Sequence, residues 1–356
     1  MIDRRSSRRK PSEVRSLSVD EWPPADQKAF VEACRPSVRL RRGGAGAHLG
    51  AVSRKDIANR YGLYLDFLAR HGHLDFDCSA AQSVTPANVE QYLAELRSRV
   101  RSVTVWNSIY KLRRAAELIA PGVDFAWLAE VEKDMAAAME PRNKNDRLVL
   151  AGRLVEAGLR LIGEADASST TKVQWARGVR NGLMVVLLAL HPLRIKNFAT
   201  LRLGQSIKRV EGVWWLSIGV RETKSHRLDE RRVPDFVTPI VDRYVEVCRP
   251  ILFGGRAPDA AFWVSSTRGR QFTAKNMGTL ISRITRETVS VDVSTHLFRM
   301  AAASTAIILN GSRPDLSAGV LCHRDRRMTE EHYDRAGSLH AGDALSAIVS
   351  QYRMHQ

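Results

Sequence analysis

The sequence predicts a mainly α-helical protein of two domains, the second of which carries a small antiparallel sheet. At 356 residues the chain is longer than one ordinary domain, and 44% hydrophobic residues are enough for two cores. Apolar residues recur at helical spacing along most of the chain. One segment, residues 213–234, instead has the short runs of β-forming residues that are typical of strands.

The charge balance narrows the function. The chain has 55 Lys and Arg residues against 38 Asp and Glu, a formal net charge of +17, and a pI near 10.2. Such a surplus indicates a polyanionic partner, either nucleic acid or an anionic membrane surface. The longest apolar run, residues 183–190, is far shorter than the ~20 residues that span a bilayer. We therefore expect no membrane partner.

Targeting and redox signals favour a bacterial cytoplasm. The basic N-terminus is followed by no apolar stretch, so no secretory signal is expected. Four scattered cysteines form no Cys-x-x-Cys pair, which predicts free thiols, a reducing compartment and no structural zinc.

The first domain is predicted to be entirely helical. A basic, Ser-rich stretch at residues 1–19 is interpreted as a flexible arm. Helical apolar stripes then fill residues 20–138, and Thr85-Pro86 supplies an N-cap followed by a proline in the first helical position. The polar segment 139–146 contains a proline and breaks the periodicity, so it is predicted to be a linker.

The second domain, residues 147–340, opens with two helices and continues as strand, turn and strand across residues 213–234. Helices are predicted again over 237–247, 274–287 and 296–309, with Asn310-Gly311 as a C-cap. The C-terminal segment 341–356 has one more apolar helical stripe.

Six side chains of the second domain suit phosphodiester chemistry. They are two arginines, two histidines, a lysine and a tyrosine, a set that provides phosphate ligands, proton carriers and a nucleophile without a metal. In chain order these candidate catalytic residues are Arg194, Lys224, His296, Arg299, His323 and Tyr333.

In this order and context the residues resemble the tyrosine recombinase (phage integrase) family. His191-Pro-Leu-Arg194 leads to Leu201-Arg-Leu203, and His296-Leu-Phe-Arg299 precedes an alanine run, as the family's motifs do. The sequence departs from the family at Cys322, where glycine is usual, and at Met300 and Asn197. The resemblance covers nearly the whole chain after the arm, and it makes residues 20–138 a core-binding domain and 147–340 a catalytic domain.

The resemblance implies a site-specific DNA recombinase that forms a 3′-phosphotyrosyl intermediate without metal, ATP or other cofactor. Arg194 and Arg299 would bind the non-bridging oxygens and Tyr333 would attack. His296 would help to accept the tyrosine proton, His323 would bond a phosphate oxygen, and Lys224 would protonate the leaving 5′ oxygen.

The implied partners are double-stranded DNA with inverted core sites and further copies of the chain, as a tetramer on DNA. The 341–356 helix would dock on a neighbouring subunit or pack within its own, and the need for a DNA-bending protein or a partner recombinase is open. Association with the bacterial nucleoid follows from the same reading. The candidate DNA-binding residues on the basic third helix are Arg101, Lys111, Arg113 and Arg114, with a merely solvated face as the alternative.

Two other functions share the same features. One is a catalytically silent or partner-dependent accessory relative that binds DNA, and the other is a type IB topoisomerase-like enzyme. Occupation of all six positions favours catalysis. A metal-dependent nuclease based on Glu222-Thr-Lys224 is disfavoured because no aspartate lies between residues 201 and 221.

Overall fold

The computed structural model describes residues 14–140, 145–223, 228–257, 259–267 and 269–309. Within them the protein is mainly helical with one three-stranded antiparallel sheet, so the predicted fold class is confirmed. The chain divides into two compact units, Met1–Asn143 and Lys144–Gln356, each with its own hydrophobic core. The predicted C-terminal helix at 341–356, the Asn310-Gly311 cap and linker residues 141–144 lie outside the described residues.

Among its described residues, the regular elements of the first unit are helices, and one isolated β-bridge joins Val38 to Arg41. The predicted cap of α3 is confirmed: the Thr85 side chain accepts a hydrogen bond from the Asn88 N–H at 3.4 Å, and Pro86 occupies the first helical position. The helices are α1 (Pro24–Ala33), α2 (Ala51–Arg70), α3 (Pro86–Arg99), α4 (Ser102–Ile119) and α5 (Ala126–Ala137).

The core of the first unit forms around α2 and α4. Both helices present a continuous apolar stripe, and Tyr61, Leu65 and Leu112 on those stripes are completely buried. The buried Tyr61 hydroxyl donates to Asp26 of α1 at 2.6 Å, so the polar end of this core residue is satisfied.

The predicted flexible arm is wrong for its last residues. Leu17 is buried, and its N–H donates to the Gly62 carbonyl of α2 at 3.1 Å. A Cβ at Gly62 would lie 2.1 Å from the Leu17 carbonyl oxygen, so only glycine allows this contact. Arg15 forms an ion pair with Glu21 beside it. Residues 15–19 are therefore part of the folded unit, whereas residues 1–13 lie outside the described part.

The second unit has a helical body with a small sheet. Its elements are α6 (Ala151–Ser168), α7 (Lys172–Leu190), α8 (Ile195–Ala199), β1 (Ile207–Val210), β2 (Val213–Ile218), β3 (Asp229–Arg232), α9 (Thr238–Arg243), a π-helical turn (Tyr244–Cys248), α10 (Arg249–Phe253), α11 (Ala274–Val289) and α12 (Thr295–Leu309).

The α6–α7 pair sets the position of the site-bearing end of α7. Gly158 and Gly182 lie where the two helices approach most closely, and a Cβ on either would come within 2.8 Å of the other's carbonyl oxygen. Eleven residues of α7 are buried, so its C-terminus is held by the core of the unit.

The sheet has the strand order β1-β2-β3, and both pairs are antiparallel. The prediction of two strands was incomplete, because β1 precedes them and pairs with β2 in the register Lys208↔Trp215. A tight turn at Glu211-Gly212, with φ angles of 49° and 82°, joins these two strands. The strand β1 leads into β2, and β3 resumes after the segment that contains Lys224.

Candidate active site

Three of the six candidate catalytic residues lie in the described part of the chain: Arg194, His296 and Arg299. Lys224, His323 and Tyr333 lie outside it, so their places in the site stay predictions. The three described residues come from two segments, the turn after α7 and the N-terminal end of α12.

Arg194 is positioned by the turn between α7 and α8. The helix α7 ends because Pro192 follows the C-cap residue His191 and disfavours the α conformation there. The buried Leu193 then anchors the turn in the core. Arg194 caps α8, and its carbonyl accepts from the Phe198 N–H at 3.0 Å. The main chain on both sides of Arg194 is therefore fixed.

The Arg194 guanidinium is half-buried and makes no hydrogen bond or ion pair within the described residues. By contrast, the nearby cations Lys196 and Arg202 are exposed. A half-buried cation without a counter-charge favours an anion beside it.

Arg299 is the fifth residue of α12 and is 9% exposed. Its guanidinium donates a hydrogen bond to the Pro192 carbonyl, two residues before Arg194. This contact joins α12 to the α7–α8 turn, so the two arginines predicted to act together are held by one piece of structure. The buried neighbours Leu297 and Phe298 fix the helix start from the core side.

His296 stands three residues before Arg299, which places both side chains on the same side of α12. His296 is exposed and Arg299 is buried, so the imidazole lies at the solvent side of the guanidinium. The start of α12 is fixed by the Ser294 carbonyl, which accepts from the Leu297 N–H at 2.8 Å.

His191 is a buried polar residue beside Arg194, and its place in the site could not be predicted from the motif alone. Its side chain is 8% exposed, and its Nε2 atom is buried without a hydrogen-bond partner in the described part of the protein. Burial first, and then the nearby positive charge of Arg231, lower the pKa of His191 to about 4 against the opposing charge of Asp229. The imidazole is therefore neutral near pH 7.

Arg231 and Asp229, on β3, form a bidentate ion pair at 2.7 and 2.9 Å, and both act on His191. The strand β3 follows the segment that contains Lys224, so the α7–α8 turn and this strand belong to one site region. The signal for His191 in the sequence was a histidine that ends an apolar helix three residues before an arginine. Nothing in the sequence indicated which strand would face it.

The predicted DNA-binding residues of α4 are mostly engaged within the first unit. Arg113 is 18% exposed and pairs with Glu117 and with Glu132, the latter at 2.7 Å. Lys111 lies 3.4 Å from an Asp56 carboxylate oxygen, and Arg114 lies 3.6 Å from Glu117. Arg101, the N-cap residue of α4, is exposed. These four residues remain predictions as DNA contacts.

Two arginines held at one turn are the residue types that suit a tetrahedral anion. Guanidinium groups keep their charge across the physiological pH range and offer several fixed donors, so two of them stabilise negative charge that develops on phosphate oxygens.

Within the described residues no cluster of three His, Cys, Asp or Glu side chains forms a metal site. None of the described helices combines the length and apolar character needed to cross a bilayer.

Comparison with known proteins identifies the second unit. Residues 164–338 match the phage integrase family, and this range contains all six candidate catalytic positions. No curated protein matches the sequence significantly.

One solved structure shares the fold, and two others are similar at lower scores. The crystal structure of XerH site-specific recombinase bound to difH substrate, a pre-cleavage complex, matches with a TM-score of 0.55 at 12% identity, over 89% of this chain and 96% of that chain. A post-cleavage XerH complex with palindromic difH has a TM-score of 0.48 at 11% identity, over 93% and 99%. XerA recombinase has a TM-score of 0.39 at 15% identity, over 92% and 97%.

Three findings agree with one another: the match over residues 164–338, the fold shared with XerH in its pre-cleavage complex, and the contact of Arg299 with the turn that carries Arg194. Residues 164–338 belong to the phage integrase family of tyrosine recombinases.

Proposed function

We propose that this protein is a site-specific DNA recombinase that cuts and rejoins strands through a 3′-phosphotyrosyl intermediate, without metal or ATP. The observation that carries the proposal is the hydrogen bond from Arg299 to the Pro192 carbonyl, which holds Arg299 against the turn of Arg194. A phosphodiester bound there would contact two guanidiniums, and the main chain that carries each of them is already held in place before DNA binds.

In the proposed reaction the Tyr333 oxygen attacks the scissile phosphorus, a new O–P bond forms, and the bond to the 5′ oxygen breaks. Arg194 and Arg299 stabilise the charge on the non-bridging oxygens. His296 helps to accept the tyrosine proton, and Lys224 gives a proton to the leaving 5′ oxygen. His323 donates to a phosphate oxygen.

The second half of the reaction reverses the first. The phosphotyrosyl ester keeps the energy of the broken bond, so the 5′-hydroxyl of another strand can attack it and release Tyr333. This conservation of the ester bond is why the proposal includes no ATP. The likeness in fold to XerH, solved with its difH substrate, supports duplex DNA as the substrate class.

The proposal assigns DNA binding to residues 20–138 as a core-binding domain and catalysis to residues 147–340. It includes inverted core sites, a homotetramer on DNA and docking of the 341–356 segment on a neighbouring copy. A bacterial cytoplasmic, nucleoid-associated location and a mobile genetic element as the source of the gene belong to the same proposal. The net charge of +17 supports a polyanionic partner.

The test is a covalent trap. The full-length protein and its Tyr333→Phe variant are incubated, in EDTA, with nicked suicide duplexes made from the DNA that flanks the gene. A denaturation-resistant protein–DNA adduct is expected with the unchanged protein and not with Tyr333→Phe, and mass spectrometry is expected to map it to Tyr333.

Absence of an adduct, on DNA that the protein shifts in a gel, would overturn catalysis and leave the DNA-binding accessory relative. An adduct that persists in Tyr333→Phe would move the nucleophile to another residue. An adduct that forms only after Mg²⁺ is added would contradict the metal-free mechanism.

A further inference from the structure

The loop between α1 and α2 is a basic surface of the first unit that the proposed reaction does not use. Its residues 34–50 include four arginines and no Asp or Glu, and one of the four, Arg35, pairs with Glu32 of α1. Elsewhere in the same unit buried or half-buried arginines pair with carboxylates, as Arg70 does with Asp66 and Glu95. Positive charge collected without acids indicates an external anion.

Residues 38–41 of this loop form a miniature hairpin. Val38 and Arg41 exchange two main-chain hydrogen bonds of 3.1 and 2.9 Å, which leaves Arg39-Leu40 at the tip. Such a two-residue tip projects away from the surface that carries it.

The base of the hairpin is braced on α1. Arg35 donates to the Arg42 carbonyl at 2.9 Å and to Glu32 at 2.8 Å. Its carbonyl accepts from the Gly44 N–H at 2.9 Å, and a Cβ at Gly44 would lie 2.2 Å from the Glu32 carbonyl oxygen. The close contact and the paired main chain hold the tip in one position, which lowers the entropic cost of using it to bind.

The tip combines an exposed apolar side chain with cations. Leu40 is 99% exposed and Val38 is 61% exposed. Arg39, Arg41 and Arg42 are exposed and form no ion pair within the described residues. A leucine between arginines matches a surface that is apolar in its centre and anionic at its edges. The minor groove of duplex DNA, with sugar faces between two rows of phosphates, has that chemistry.

The hairpin extends from one end of the α2–α4 pair. These helices are antiparallel neighbours, since Lys111 approaches Asp56 at 3.4 Å and Arg60 donates to Ser108 at 3.2 Å. A Cβ at Gly46 would lie 3.3 Å from Leu118, so the loop rests on the last turn of α4. A helix in the major groove with a basic extension in the adjacent minor groove is a sterically ordinary way to hold a duplex.

We propose that the Val38–Arg41 hairpin contacts the minor groove of duplex DNA. Arg39 and Arg41 neutralise phosphates at the groove edges, and Leu40 packs against the sugars or a base step. The inference rests on the proposed function and names a DNA-contacting element of the first unit in addition to α4.

The test compares full-length variants in which the exposed tip is changed. Arg39→Gln/Arg41→Gln removes two charges from the hairpin, and Lys28→Gln/Lys133→Gln removes two exposed charges elsewhere in the same unit as the matched control. Leu40→Ser removes the apolar tip. Binding is measured by fluorescence anisotropy on A·T-rich and G·C-rich 40-bp duplexes between 50 and 200 mM salt, and thermal melting confirms folding.

Two lost phosphate contacts are expected to lower the slope of log K against log salt by about 1.8, and to weaken binding at 50 mM salt about tenfold or more, whereas the control changes neither. Netropsin, which fills A·T minor grooves, is expected to weaken the unchanged protein on the A·T-rich duplex and to leave the hairpin variant unaffected. Leu40→Ser is expected to keep the slope and to reduce the DNA bend seen by energy transfer between labelled ends.

Equal slopes for the hairpin variant and its control would overturn the proposal, and so would equal sensitivity to netropsin. A hairpin variant that binds DNA normally but loses binding to vesicles with 30% phosphatidylglycerol would assign the tip to a membrane instead. The covalent trap is run in parallel. If the unchanged protein forms the adduct and the hairpin variants bind DNA as the control does, only this inference is refuted. If DNA binding depends on the hairpin but no adduct forms, only the catalytic proposal is refuted.

Discussion

His191 makes the stability of the second unit depend on pH in a defined direction. The folded protein keeps the imidazole neutral because burial and, to a smaller extent, the charge of Arg231 lower its pKa from 6.5 to about 4. In the unfolded chain the same group titrates at its ordinary pKa. Between these two values the unfolded state binds a proton that the folded state excludes. The contribution of His191 to stability is therefore fully present above pH 6.5 and is lost as the pH drops toward 4.

The two pKa values give the size of the effect. At pH 4.5 the unfolded state is favoured, relative to pH 7.5, by about 2.5 kcal/mol from this group alone. A loss of that size is a large fraction of the stability of an ordinary domain. The His191→Gln variant keeps a polar side chain of similar size that does not titrate, so this part of the pH dependence should vanish.

Urea titrations followed by circular dichroism, at several pH values from 7.5 to 4.5, measure the free energy of unfolding of both proteins. The difference between them is expected to change by about 2.5 kcal/mol over this range, because all other titrating groups are shared. His48→Gln, which removes an exposed imidazole from the first unit, is the control. A difference between wild type and His191→Gln that stays constant with pH would refute the burial of a neutral imidazole.

Three further predictions follow from contacts in the two units. Gly158→Ala should lower the free energy of unfolding in a urea titration by about 2 kcal/mol, because its Cβ would come within 2.7 Å of α7. The control Gly163→Ala, at a position with open space around it, should be neutral or stabilising in the same titration. Arg180→Met should cost about 2 kcal/mol in that titration, because the buried guanidinium donates to a main-chain carbonyl at 2.8 Å that would lose its donor, and an unchanged midpoint would refute this. Arg113→Gln should destabilise the first unit by about 1 kcal/mol, because it removes the ion pairs with Glu117 and Glu132. Arg101→Gln should instead weaken DNA binding in anisotropy titrations. The reverse pattern would contradict the ion pairs of α4.

Helices with one continuous apolar face could be predicted from the sequence because their burial depends on local periodicity. The Thr85-Pro86 start of α3 is such a case, since the cap and the proline act within one turn. The strand β1 could not be predicted in this way, because Ile207-Lys-Arg-Val becomes a strand by pairing with β2. The packing of Leu17 depends on the notch at Gly62, 45 positions away in the sequence, and a local pattern does not contain it.

The residue types of the candidate site followed from the order of the motifs, but their surroundings did not. Periodicity places Arg299 one turn into a helix and cannot show that its acceptor is the carbonyl of Pro192. The role of Arg113 changes in the same way: a basic helix face suggests nucleic acid, and only the packing of α5 brings Glu132 to it. Contacts between distant elements decide which cations remain available to a ligand.

The most direct test of whether Arg194 and Arg299 together bind the scissile phosphate is the rate of adduct formation by Arg194→Ala and Arg299→Ala on the nicked suicide duplex. The control is Lys196→Ala, which removes an exposed cation of α8 two residues from Arg194. Each arginine variant is expected to form the phosphotyrosyl adduct about 10²- to 10³-fold more slowly while its DNA affinity changes by a few fold. The control should keep the wild-type rate. Arginine variants that form the adduct as fast as the control would contradict a scissile phosphate bound between Arg194 and Arg299.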